Sequence, residues 1–203
     1  MAFLKGLVRH PVKTGAIAPS STGLALEILR YWPNRHDSTI VEYGPGTGSF
    51  TRAILSRLRG ERFFAMELNQ HFVAPLRRDG VDVYHGSADQ LRWALNERRI
   101  ARADLVVSGL PWAVFSEDLQ NRILDTTVEN LAPGGMFSTF AYIHSRWMPQ
   151  AKRFSSLLQK KFHHVEISHI VWMNMPPAVI YHCYHDEIST TNGISDAESA
   201  LAI

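Results

Sequence analysis

The chain reads as an α/β domain, a seven-stranded, mostly parallel sheet covered by helices on both faces. Three observations predict it. Runs of β-type residues alternate with stretches of helical period from residue 39 to residue 184. The first run, TIVEY, enters a loop with glycines at 44, 46 and 48, and the stretch beyond it places Phe50, Ile54, Leu55 and Leu58 on one helical face. The composition, 203 residues with 45% hydrophobic and 20% charged, suits one ordinary globular core and leaves no room for a second catalytic domain.

Taken in order, residues 1–36 form an amino-terminal extension. Phe3, Leu4, Leu7 and Val8 share a helical face ringed by Lys5, Arg9, His10 and Lys13, and Pro11 ends the turn, so the segment can lie on a membrane or pack on the domain. Residues 12–21, rich in glycine, alanine and proline, read as a loop laid over a ligand, and Ser20 or Ser21 caps a helix running to residue 30. Within the core, 37–185, strands are expected near 39–43, 62–67, 81–85, 104–108, 135–141, 164–171 and 178–184. Pro133-Gly134-Gly135 closes a helix over 117–130 and launches the fifth strand, and the WMNMPP run with Pro176 and Pro177 reads as a loop between the last two. Residues 186–203 carry four acids and no Lys or Arg, which reads as a disordered or loosely packed tail.

The glycine loop carries the chemistry. Glycine at these positions lets the backbone turn sharply and approach a ligand, and the helix beyond presents free N–H groups. The spacing is GxGxG with Glu42 two residues before the first glycine, unlike the GxGxxG of a dinucleotide turn, and no Gly-Lys-Ser/Thr follows, which excludes a phosphate-loop NTPase. Two further strand-end acids stand in register with it, Glu67 after RFFAM and Asp89 after VDVYHGSA. The run VEYGPGTGSFT resembles motif I of the class I S-adenosylmethionine-dependent methyltransferases, whose Rossmann-like fold has seven strands with an antiparallel final hairpin. That resemblance implies S-adenosylmethionine as cofactor. Glu42, Gly44, Gly46 and Gly48 would hold its methionine part, Glu67 the ribose hydroxyls, and Asp89, with Ala88 and Leu91, the adenine; Ser108 joins the cofactor set.

The acceptor is addressed by the run after the fourth strand, Ser108-Gly109-Leu110-Pro111-Trp112. Methyltransferases acting on conjugated amino groups place Asn or Asp where this chain has Gly109, which offers no side-chain acceptor. An aliphatic amine needs alignment more than activation. The pieces FLKGLVRHPVKTGAIAPSS, VSGLPW, LAPGGMFSTFAY and VWMNMPPAVIY, with motif I, resemble bacterial phospholipid N-methyltransferases that convert phosphatidylethanolamine toward phosphatidylcholine, over roughly residues 3–184. The resemblance implies Gly109, Leu110 and Pro111 as the floor near the methyl, Tyr142 as the side chain touching the amine, and Trp112 and Trp172 as walls of an aromatic cage. His144 is a candidate for the departing proton. Where that family often has Arg, this chain has Met173; headgroup phosphate then falls to Arg146 or Lys13, or the acceptor is an aminolipid without phosphate, such as ornithine lipid.

Charge bears on partners. The net +2 conceals a basic body, because residues 1–185 hold 21 Lys and Arg against 15 Asp and Glu. Such a surface suits an anionic membrane or nucleic acid, and the rival reading is an rRNA adenine dimethylase-like enzyme, disfavoured by Gly109 and by the lack of a carboxy-terminal RNA-binding domain. A single cysteine, Cys183, excludes an internal disulfide and offers no cysteine metal site. No apolar run approaches the ~20 residues that span a bilayer, and no signal peptide is recognisable. The expected location is the cytoplasm, at the inner face of the cell membrane, with a lipid substrate and no nucleic acid.

Overall fold

The computed structural model describes residues 21–184. The amphipathic segment, Lys13 and the lid up to residue 20, and the acidic tail, lie outside the described residues.

Helix α1 (Thr22–Ile28) opens the described chain, and Ser21 caps it by accepting the Leu24 N–H at 3.2 Å. It stops two residues before the expected end. Then follow β1 (Thr39–Tyr43), α2 (Ser49–Arg57), β2 (Arg62–Glu67), α3 (Gln70–Arg78), β3 (Val83–His85), α4 (Leu91–Glu97), β4 (Ala103–Ser108), α5 (Glu117–Asn130), β5 (Leu131–Tyr142), α6 (Pro149–Lys161), β6 (His164–Ile167) and β7 (Ala178–Tyr184). The strands form one sheet in the order β3-β2-β1-β4-β5-β7-β6. The first five are parallel, and β7 runs antiparallel to both β5 and β6.

Helices on both faces explain the sequence pattern. All five residues of β1 are buried, so it reads as a near-continuous apolar run, as parallel strands covered twice do. One face is covered by α4, α5 and α6 through Leu91, Leu95, Ile123, Leu124, Phe154 and Leu158. The other is covered by α1 and α2 through Leu24, Ile28, Phe50 and Ile54, with α3 adding Val73 and Leu76 at the β3 side.

Two strands differ from expectation. β5 begins at Leu131 and includes Pro133-Gly134-Gly135, because the chain stays paired with β4 through an irregularity between Ala103 and Leu105, where Gly134 takes φ +68°. β6 ends at Ile167 instead of near 171, because the next hydrogen bond to Ile180 N–H is taken by the Ser168 side chain rather than a backbone carbonyl. Residues 168–177 then form a loop rejoined to β7 by a single bridge, Val171 to Ala178. Among the described residues no helix is long and apolar enough to cross a membrane.

The strand order reverses between β1 and β4. In an open α/β sheet that is where a crevice opens at the carboxyl ends of the strands, and it falls here between the loops after Tyr43 and Ser108.

Candidate active site

Four backbone hydrogen bonds and one side chain bind the strand-end loops into one surface. Gly44 N–H donates to Met66 O at 2.9 Å, Gly109 N–H to Tyr43 O at 2.8 Å, and Gly86 N–H to Glu67 O at 3.1 Å. Gly46 N–H donates to Glu67 Oε2 at 3.1 Å, and Gly48 N–H to Pro45 O at 2.8 Å within the loop. The ends of β4, β1, β2 and β3 are thereby fixed relative to one another, and the three predicted acids stand along that edge.

Glu42 is fully buried at the end of β1. Its Oε2 accepts the Thr51 hydroxyl at 2.7 Å, while Oε1 is buried without a partner. Burial, reinforced by the Glu67 charge and opposed by Thr51, pushes its pKa up to about 8. A buried carboxyl with an idle oxygen is expensive unless a cationic partner arrives. Thr51 was not singled out from sequence. It sits in the first turn of α2, directly after the glycine loop, where a hydroxyl turns back toward β1.

Glu67 is also raised by burial, with backbone N–H bonds from Asn69 and Gly46 pulling the other way. It already accepts Asn69 N–H at 2.7 Å on Oε1 and Gly46 N–H on Oε2. An ionised carboxylate has about four acceptor positions, so two remain for a pair of hydroxyls. Asp89 lies in the short turn 88–90, capped by Ser87 rather than by Asp89 itself. Arg122, on α5, donates to its Oδ2 at 3.2 Å, an orienting partner that sequence gave no reason to name, being 33 residues away. Ala88 is buried beside it, and Leu91 is wholly inside the core rather than beside a ring.

The glycines answer a steric demand. A Cβ on Gly44, at φ +64°, would stand 2.8 Å from Leu110 Cδ2, and one on Gly109 would stand 2.9 Å from Gly44 O. A side chain at position 109 would therefore require the two loops to shift apart. A Cβ on Gly46 would meet nothing within 4 Å, so its face opens on space that a ligand can occupy. Gly48, the left-handed N-cap of α2, completes the loop.

Tyr142 ends β5 on the same side as this crevice. It is half-buried, burial raises its phenol, and it forms with Phe140 and Phe50 a row of edge contacts at 5.3 and 5.9 Å leading to within 3.7 Å of the Gly109 Cβ direction. Phe140 and Phe50 were not predicted; their spacing is indistinguishable from core. His144 stacks on the Tyr142 ring at 5.7 Å. Leu110 and Pro111 follow Gly109 in the loop as expected, partly exposed.

Two predicted residues are elsewhere. Trp112 is 3% exposed and faces the core, stacked on Phe154 at 4.6 Å, with its indole N–H on the hydroxyls of Ser108 at 3.1 Å and Thr139 at 2.9 Å. It forms no cage wall. Ser108 is equally a correction: fully buried, its hydroxyl serves Trp112 and the Leu110 N–H, so it supports the loop rather than a ligand. Trp172 and Arg146 are exposed on the loops after β6 and β5. Asn174, by contrast, is buried, accepts the Ser21 N–H at 2.9 Å and donates to Pro176 O at 2.6 Å, tying the start of α1 to the loop before β7.

The donor set fits S-adenosylmethionine. An idle buried carboxylate suits an ammonium, a half-used strand-end carboxylate a ribose diol, and Asp89 an exocyclic amine, around a glycine whose Cβ direction is open.

No family model matches the chain. It is 30% identical over 187 residues to the ornithine lipid N-methyltransferase of Singulisphaera acidiphila, covering 89% of this chain and 93% of that protein. Among solved structures it resembles the glycopeptide N-methyltransferase MtfA complexed with S-adenosyl-L-methionine, with a TM-score of 0.63 at 14% identity over 84% of this chain and 96% of that one. It also resembles a precorrin-6y C5,15-methyltransferase of Geobacter metallireducens, with a TM-score of 0.58 at 16% identity over 80% and 86% of the two chains.

Proposed function

As the chain belongs to the class I S-adenosylmethionine-dependent methyltransferases, in the family of the Singulisphaera ornithine lipid N-methyltransferase, we propose that it methylates the primary aliphatic amine of a membrane aminolipid. When bound, the cofactor supplies an electrophilic methyl on a sulfonium. Glu42, Glu67 and Asp89 would hold it by its ammonium, ribose and adenine, and Gly44, Gly46 and Gly48 would line it with backbone.

One observation carries the acceptor class, the close approach of Gly109 to the Gly44 carbonyl. It leaves the floor without the carboxamide that a planar, conjugated nitrogen requires and presents backbone at Gly109, Leu110 and Pro111 instead. An aliphatic amine, once neutral, needs only to be aligned. Tyr142, next to Phe140 and Phe50 in a row of ring contacts, accepts or donates one hydrogen bond at that amine, and the apolar row helps keep water from the approach. His144, stacked on the Tyr142 ring, is the residue assigned to take up the released proton. Met173, where an arginine would serve a phosphate, supports ornithine lipid before phosphatidylethanolamine.

The test is transfer of labelled methyl from S-adenosylmethionine to ornithine lipid, phosphatidylethanolamine and ribosomal RNA, supplied separately in detergent. Label in ornithine lipid is expected. Label in phosphatidylethanolamine alone would restore the phospholipid reading, and label in RNA alone would refute a lipid acceptor. Tyr142→Phe should lower turnover and spare cofactor binding, whereas Glu67→Ala should weaken binding; the opposite pattern would show the two sites to be interchanged.

A further inference from the structure

Twelve large apolar side chains are exposed among the described residues, and six of them, Trp147, Met148, Ile170, Trp172, Met173 and Met175, belong to just two loops. Trp147 is 78% exposed, Trp172 68%, Met173 84% and Met175 74%. The loops, 143–148 and 168–177, leave the same edge of the sheet: Tyr142 pairs with Ala178, and Ile143 N–H donates to Pro177 O at 2.9 Å. Two tryptophans and three methionines concentrated beside one another exceed the scattered apolar exposure of an ordinary surface.

Charge identifies what covers them. From residue 130 to residue 185 the chain has one acid, Glu166, against five Lys and Arg. Glu166 is engaged by Tyr31 at 2.5 Å and by Arg30 at 3.5 Å, on the α1 side. Arg146 and Lys152, both exposed, border the apolar loops. An apolar centre with tryptophan, bordered by Arg146 and Lys152, matches the boundary between acyl chains and anionic headgroups. A second copy of this chain fits worse, since a two-fold contact would set Arg146 and Lys152 against their own kind.

We propose that these two loops form a bilayer-docking face, separate from residues 1–20, that presses the Tyr142 edge of the crevice against the membrane. The inference rests on the lipid acceptor of the preceding section, which a soluble domain reaches only by meeting the bilayer. Asn174 gives it reach, because the same loop that carries Trp172, Met173 and Met175 holds the Ser21 backbone, so the start of α1 lies beside the face.

The test uses the full chain and vesicles of phosphatidylcholine and phosphatidylglycerol without aminolipid. Vesicle binding by sedimentation should fall at least about tenfold in Trp147→Ser with Met173→Ser, two side chains removed from acyl contact. Brominated acyl chains should quench the wild-type tryptophan emission, and Trp147→Phe should lose part of that quenching. The thermal midpoint should not move, because both side chains are exposed. Wild-type sedimentation and quenching in the variants would overturn the proposal, as would a change from dimer to monomer with vesicle binding intact. So would vesicle binding that depends on residues 1–20 alone. Methyl transfer to detergent-dispersed aminolipid separates the two readings: transfer with unaltered vesicle binding in the double variant sinks the docking face only, while vesicle binding without transfer to any lipid sinks the acceptor only.

Discussion

Cofactor binding should release a proton, and Glu42 should be its source. The carboxyl is fully buried, Thr51 satisfies one oxygen, and its pKa is pushed up to about 8. At pH 7 roughly one molecule in ten then has it ionised, and ionising the rest costs about 1.4 kcal/mol. An ammonium set against it favours the carboxylate. Affinity should therefore climb by up to about tenfold per pH unit below pH 7 and level off above pH 8 to 9. In the free protein the sign is reversed. A carboxyl whose folded pKa lies above its ordinary 4.5 favours the fold while protonated, so that contribution is lost as pH rises from about 4.5 through about 8. The assay is titration calorimetry with S-adenosylhomocysteine, which keeps the ammonium, in buffers of differing ionisation enthalpy. Glu42→Gln should remove most of the pH slope and the proton release, leaving only what the ligand's own amine contributes. Equal slopes in the wild type and in Glu42→Gln, or no buffer dependence near pH 7, would refute the reasoning.

Other consequences are equally open to measurement. Gly109→Ala puts a Cβ 2.9 Å from a carbonyl oxygen and should cost about 1 to 3 kcal/mol in chemical denaturation; an unchanged midpoint would contradict the close approach. Trp112→Phe keeps the ring on Phe154 but removes the indole N–H from the Ser108 and Thr139 hydroxyls, which retain the Leu110 N–H and the Ser108 carbonyl as partners, costing about 1 kcal/mol, whereas Trp172→Phe on the exposed loop should stay within about 0.5 kcal/mol. His182 is buried on Ser138 at 2.9 Å, and burial lowers its pKa to about 4. A base depressed in the folded state withholds stability only when it must charge, so stability should fall as pH drops from about 6.5 toward 4. His182→Gln should flatten that limb, and a limb of unchanged slope would assign it to carboxylates instead.

The strands were legible because parallel strands buried on both faces leave unbroken apolar runs, and the acids at 42, 67 and 89 stood out as charges ending them. What sequence could not supply depended on partners far along the chain. Trp112 reads as a neighbour of Gly109, but the short turn 112–114 swings its indole inward, toward Thr139 and Phe154, whose positions only the folded sheet brings together. Arg122 on Asp89 and Asn174 on Ser21 are of the same kind, each a contact between distant elements with no local period to announce it. Pro133-Gly134-Gly135 misled in the other direction. These residues favour a turn, yet continued pairing with β4 absorbs them as an irregularity within β5.

The mutual fit of Gly44 and Gly109 has a bearing on how such a protein changes over time. Each glycine is kept small by the other's loop, and in the proposed reading one loop serves the methyl donor and the other the acceptor. A substitution that gave the acceptor side a new polar group would push into the carbonyl that shapes the donor side, and relief would require a second change in the first loop. New acceptors that demand an amide at this position are therefore at least two coordinated steps away, with a weakened hold on the methyl donor in between. Diversification among aliphatic amines meets no such valley, since it can proceed through Tyr142 and the outer loops while the interlocked glycines stay as they are.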